Sequence, residues 1–194
     1  MKCAECERRE CDKGKDCTPF RQEMIDACTQ DKDVERMMQV ADTVISDFYM
    51  QKTRVEETIE FIKRMGYAKV GLAFCKGLAD EAATMNRALK NAGIKVSSAC
   101  CKICGISKTE MNIPTKARQA PISCNPLGQA EILNRDKTDL NISFGLCVGH
   151  DILFNQASEA PVTTLVVKDR VLGHNPAAAL YSGFYAARIN GGKK

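Results

Sequence analysis

Lys69-Val-Gly-Leu-Ala-Phe-Cys75, running on through Lys76 and Gly77 into Leu78, Ala82, Met85 and Leu89 and stopping at Gly93, decides the fold of this chain. Val70 to Phe74 is a short apolar run of strand type. The spacing of threes and fours that follows predicts a helix from Leu78 to Ala92. Ile94 to Ala99 predicts a second strand. A long excursion from Cys100 to Cys124 ends at Asn125-Pro126, an N-cap followed by the residue favoured in a first helical turn. Leu140 to Leu146 predicts a third strand, Asp151 to Ala157 a short helix, and Pro161 to Val167 a fourth strand; Asn175-Pro176 opens a small Ala-rich helix. Strands joined through helices must run parallel, because right-handed crossovers return the chain to the same end of the sheet. The expectation is an α/β fold with a Rossmann-like parallel sheet of about four strands over 67–194, and a ligand crevice beyond the strands' carboxyl ends.

Before that sheet, from Gln22 to Met65, the pattern is helical. Met24, Ile25 and Cys28 share a face, and Val34, Met37, Met38, Ala41, Val44, Ile45 and Phe48 continue it. A break is expected near Gln51 to Arg54. Val55, Ile59, Ile62 and Met65 then resume the period until Gly66 stops it. This makes 21–66 a helical segment. The first twenty residues have four cysteines and little apolar material, so burial alone cannot order them; 1–20 reads as a cysteine-rich metal-binding loop.

The 194 residues, 44% of them hydrophobic, suffice for one sizeable core. The polar opening has no signal-peptide character and no later stretch is long enough to span a bilayer, so the expected setting is the cytoplasm, with no membrane partner. Eleven cysteines in a reducing compartment are thiols or metal thiolates rather than structural disulfides. The formal charge of +4 counts each cysteine as neutral. Two four-thiolate clusters at roughly −2 each would cancel it. Lys and Arg are scattered and Trp is absent, which argues against a nucleic-acid partner.

Two groups of cysteines carry chemistry. In the first, Cys3-x2-Cys6-x4-Cys11-x5-Cys17, two thiolates bite one site and the following loops bring two more round. Zinc ribbons supply two such knuckles where this loop has one, which favours a 4Fe-4S cluster over zinc. In the second, Cys75 follows the first strand, Cys100 and Cys101 the second and Cys147 the third, and His174 lies beyond the fourth, so they are expected to converge, with Cys104 and Cys124 able to join them. Burial as small hydrophobes explains individual cysteines but gives no reason for them to collect at strand exits. His150, three residues after Cys147, is a candidate proton donor or variable ligand, with Asp151 orienting it; helix capping is the plainer role for both. His174, in Leu-Gly-His-Asn-Pro, reads as a turn residue. Cys101-Lys-Ile-Cys104 lacks the long helix a thioredoxin-type dithiol starts, and neither a Gly-x-Gly-x-x-Gly nor a Walker loop follows any strand. A Cys-x3-Cys-x2-Cys triplet is also absent.

The four-cysteine start, Phe74-Cys75-Lys-Gly-Leu78, Cys101-Lys-Ile-Cys104-Gly105, Cys124-Asn-Pro-Leu-Gly-Gln-Ala-Glu-Ile-Leu-Asn134, Gly145-Leu-Cys147-Val-Gly-His150-Asp151 and Val166-Val-Lys-Asp-Arg-Val-Leu-Gly-His174 together resemble family 1847 of the domains of unknown function. The resemblance spans nearly the whole chain. It implies a metal-binding protein of mainly anaerobic microbes and brings no established reaction. A cluster loop followed by helices and a parallel sheet is also similar, as a distant analogy, to the plan of hybrid-cluster proteins and nickel carbon monoxide dehydrogenases.

The sequence thus leads to an iron–sulfur redox protein with one or two clusters, the first on Cys3, Cys6, Cys11 and Cys17 and the second on some of Cys75, Cys101, Cys104, Cys124 and Cys147. A small-molecule substrate or a redox partner protein would meet it at the crevice. A zinc-stabilised binding or scaffold protein, and a metal or sulfur carrier using exposed thiols, are the alternatives.

Overall fold

The computed structural model describes residues 2–115 and 120–191. Its inter-residue contacts divide the chain into two compact units, Met1–Tyr49 and Met50–Lys194.

The first unit begins with two 3-10 turns, Cys3–Glu5 and Glu10–Lys13, neither with a buried residue. Helices α1 (Arg21–Thr29) and α2 (Lys32–Phe48) follow. Between them Asp31 accepts hydrogen bonds from the Asp33 and Val34 N–H groups, and this side-chain cap opens α2. The described segment 2–20 has no core of its own, in keeping with its composition.

In the second unit, α3 (Arg54–Met65) starts in a reciprocal capping box between Thr53 and Glu56 and stops at Gly66, whose left-handed φ of 76° a residue with a Cβ would resist. The chain then alternates strand and helix: β1 (Lys69–Phe74), α4 (Ala79–Asn91), β2 (Lys95–Cys100), α5 (Pro126–Arg135), β3 (Leu140–Phe144), α6 (His150–Ala157) and β4 (Val162–Val166). Two short helices, α7 (Ala178–Tyr181) and α8 (Gly183–Ile189), follow. The four strands form one sheet in the order β2-β1-β3-β4, and every pairing is parallel. The α/β reading therefore holds. Strand β3 ends two residues earlier than its apolar run, because Gly145, at φ 66°, turns the chain at a point where a Cβ would lie 2.0 Å from Leu78 Cδ1.

Both faces of the sheet are covered. Val70, Leu72, Leu140, Ile142 and Phe144 pack with Ile62 of α3 and Ala82, Met85 and Leu89 of α4. On the other face Ala73 packs with Ala130 and Leu133 of α5, Leu146, and Phe154 of α6. Buried Asn141 lies on β3 opposite Gly71 of β1. Among the described residues no helix is long and apolar enough to cross a membrane.

Gly71 is fixed by that neighbour: a Cβ there would stand 2.0 Å from Asn141 Oδ1 and 2.7 Å from Leu133 Cδ1. Gly71→Ala should cost about 1–3 kcal/mol in urea unfolding, as overpacking of a tight core does. Adding Asn141→Ala should return part of that loss. Strict additivity of the two changes would contradict the contact.

Candidate thiol and metal centre

The parallel register sets the positions of the cysteines. At the carboxyl end of the sheet the Cys75 N–H donates to Phe144 O (3.1 Å), the Cys101 N–H to Phe74 O (2.9 Å) and the Gly145 N–H to Val166 O (2.7 Å). Each chain segment is thus tied to its neighbour just where it leaves the sheet. Buried Gln129 of α5 adds a brace, its Nε2 donating to Phe74 O (3.2 Å) and Ala99 O (2.7 Å). After the excursion the Asn125 N–H donates to Cys101 O (2.8 Å), which brings Cys124 back to the exit of β2. Asn125 then caps α5 by accepting from the Gly128 N–H at 2.8 Å.

The outcome is a crevice of about 610 Å³ lined by Cys75, Cys101, Cys124 and Cys147. These four cysteines come from three strand exits and the end of a long loop. Lys76, Lys102, Lys168 and Arg170 line the same crevice, with Asp169 and His174. Several of these groups already engage sulfur. Arg170 Nη2 donates to Cys147 Sγ (3.3 Å), Lys102 Nζ to Cys124 Sγ (3.4 Å), and the Lys76 N–H to Cys101 Sγ (3.3 Å).

These contacts split the thiols electrostatically. Burial opposes ionisation of Cys75, but the Gly77 N–H, the Lys168 ammonium and the Cys101 thiol outweigh it and hold its pKa below the usual thiol value. Cys101 is only 3% exposed. Burial pushes its thiol up to about 12; the Lys76 N–H opposes that rise, while the Cys124 and Cys75 thiolates add to it. Arg170 is held more firmly in its charged form by its hydrogen bond to Cys147 and by that thiolate's charge.

The remaining predicted residues lie elsewhere. Cys104 is exposed on the turn Ile103–Gly105 in a left-handed conformation of φ 69°, outside the crevice lining. His150 and Asp151 begin α6 and do not line the crevice. Their N–H groups both donate to Cys147 O, and Asp151 Oδ1 accepts from the Ile152 N–H. Cys3, Cys6, Cys11 and Cys17 are exposed thiols in the N-terminal unit. Among the described residues no group of three or more Cys, His, Asp or Glu side chains is spaced to hold a metal ion. The cations were not foreseen. Their signal is that Lys76 and Lys102 each directly follow a strand-exit cysteine, and that Lys168 and Arg170 follow β4.

Fold and crevice together define an α/β protein with a cysteine-lined, cation-rimmed pocket at the carboxyl edge of a parallel sheet. Over residues 12–165 the chain matches the family described as Protein of unknown function (DUF1847), and it belongs to that family. It is also 45% identical, over 195 residues and the whole of both chains, to an uncharacterized protein of Methanocaldococcus jannaschii. The family match takes in Cys75, Cys101, Cys124 and Cys147 and ends before Lys168.

The split between Cys75 and Cys101 is measurable by alkylation, since thiolate is the reacting form. In metal-free, reduced protein Cys75 should be labelled by iodoacetamide near neutral pH, and Cys101 should react only as the pH approaches its raised pKa. Lys168→Met should slow Cys75 labelling several-fold near pH 7, an effect that fades at high pH where the thiol ionises regardless. A rate insensitive to Lys168 at every pH would contradict this account.

Proposed function

We propose that the protein is a metal-binding redox protein of the cytoplasm, with an iron–sulfur cluster held by Cys75, Cys101, Cys124 and Cys147 and a second centre on Cys3, Cys6, Cys11 and Cys17. The observation that carries this reading is the collection of four cysteines, from widely separated parts of the chain, around one crevice whose other lining groups are cationic. Four thiolates and a cluster make an anionic unit of roughly −2, which a ring of Lys and Arg side chains suits. The donor set fits such a group on chemistry and charge.

When bound, a cluster would supply one-electron chemistry. The chain's own groups have separate parts. Lys102 and Arg170 donate to cysteine sulfurs, and such donors would raise the reduction potential of a bound cluster relative to a site without them. Gln129 holds the two strand ends from which Cys75 and Cys101 project. The crevice would admit a small molecule, or a redox partner protein would approach its mouth.

A second reading has its own observation. Cys75 and Cys101 are hydrogen-bonded neighbours with oppositely displaced pKa values, as in a nucleophile and resolving-thiol pair. That would make the crevice a dithiol or sulfur-carrier site.

Anaerobic purification followed by iron, sulfide and zinc analysis separates the two. The cluster reading expects about four iron and four sulfide per occupied site. Metal-free protein that forms a Cys75–Cys101 disulfide on mild oxidation, and releases it on reduction, would favour the second. Separately, Cys6→Ser with Cys11→Ser should remove one metal centre and make 1–20 protease-sensitive while the sheet's circular dichroism is unchanged; undiminished metal content would overturn the N-terminal assignment.

A further inference from the structure

Four cations line the crevice, Lys76, Lys102, Lys168 and Arg170, against one carboxylate, Asp169. That carboxylate is committed elsewhere: its Oδ1 accepts from the Val171 and Leu172 N–H groups at 2.9 Å each. Among the described residues none of the four cations forms an ion pair with a carboxylate. Resting on the cluster reading, a bound unit of roughly −2 together with Asp169 still leaves the rim with a positive surplus. Uncompensated cations in a concave site are a binding determinant for anions.

His174 adds direction to that charge. The turn Asp169 to His174 is closed twice, by the His174 N–H donating to Asp169 O (2.8 Å) and by the Asp169 N–H donating to His174 Nδ1 (3.0 Å). Gly173 and His174 both take left-handed backbone, with φ of 57° and 67°. A histidine in that conformation costs free energy that its surroundings must offset. Because Nδ1 accepts, the neutral ring carries its proton on Nε2. Among the described residues Nε2–H has no protein acceptor, and His174 lines the crevice. This turn and Lys168 just before it therefore supply a guanidinium, an ammonium and a ring N–H donor to the lining of the thiol crevice.

We propose that this turn is an anion subsite: Lys168, Arg170 and His174 hold a small inorganic oxyanion against the cysteine centre, and the substrate class of the crevice is such oxyanions. Arg170 has donors left beyond the one it gives Cys147, so it bridges sulfur and anion at once. His174 is a binding residue here through Nε2–H.

The probes are sodium nitrite and sodium sulfate, with sodium chloride as control, titrated calorimetrically at low ionic strength into both metal-loaded and metal-free protein. At least one oxyanion should saturate at one site per chain. Arg170→Gln and His174→Asn should each weaken it about tenfold, which corresponds to about 1.4 kcal/mol. Asparagine tolerates the left-handed backbone, so His174→Asn tests the ring rather than the turn. Lys90→Gln, on α4 and outside the crevice, should change nothing. Absence of binding by either oxyanion, or binding undiminished in both crevice variants, overturns the subsite. Iron analysis of the same samples keeps the two claims apart. Protein without iron whose metal-free form binds oxyanion with this sensitivity sinks the cluster reading alone; iron-loaded protein that ignores both anions sinks the subsite alone.

Discussion

The hydrogen bonds that tie each strand exit to its neighbour are the constraint on which the rest of the molecule depends. Cys75 to Phe144, Cys101 to Phe74 and Gly145 to Val166 are backbone pairings at the carboxyl edge of a parallel sheet, so they are fixed by register rather than by side chains. The helices on both faces bury the apolar strands, and that burial holds the register. With the edge fixed, the residues after each strand have little freedom in where they go. Cysteines placed there meet in one crevice.

That arrangement sets burial against charge. Placing thiols at the edge of an apolar core opposes their ionisation and raises the pKa of Cys101, and a thiol that cannot ionise neither ligates nor attacks. At Cys75 the Gly77 N–H and the Lys168 ammonium act in the opposite sense and prevail, and at Cys101 the Lys76 N–H opposes the rise. A cation beside a sulfur is useful at two stages, stabilising the bare thiolate and then the anionic centre it would ligate. The crevice cations would exceed what four thiolates in a cluster require, and that excess would link the thiol chemistry to an anionic guest.

Much of this was legible from local sequence. Strand and helix periods in 69–99 gave the parallel sheet, and the coincidence of Cys75, Cys101 and Cys147 with strand ends gave the crevice, because a parallel topology converts position along the chain into position in space. Cys124 was reachable only as a loop residue able to join; its place rests on the Asn125 N–H bond to Cys101 O, a long-range pairing with no local signature. The cations escaped notice because Lys and Arg are common on loops and their side-chain directions cannot be read from spacing. Its position beyond the fourth strand places His174 among the converging residues, while Leu-Gly-His-Asn-Pro reads as a turn rather than a ligand. His174 is a turn residue, yet the bond from the Asp169 N–H to its ring makes it more than that, and only the folded loop reveals the bond. Cys104 shows the converse: Cys-x2-Cys spacing suggested a shared site with Cys101, whereas the left-handed turn at Cys104 leaves it exposed and off the crevice lining.

The central claim is that Cys75, Cys101, Cys124 and Cys147 ligate one iron–sulfur centre. Its most direct test is anomalous diffraction at the iron edge from crystals grown and frozen without oxygen. The account predicts cluster-sized iron density in the crevice, with each of the four sulfurs within bonding distance of one of its irons. A crevice without iron in protein that carries metal elsewhere, or a zinc signal alone at that position, would contradict it.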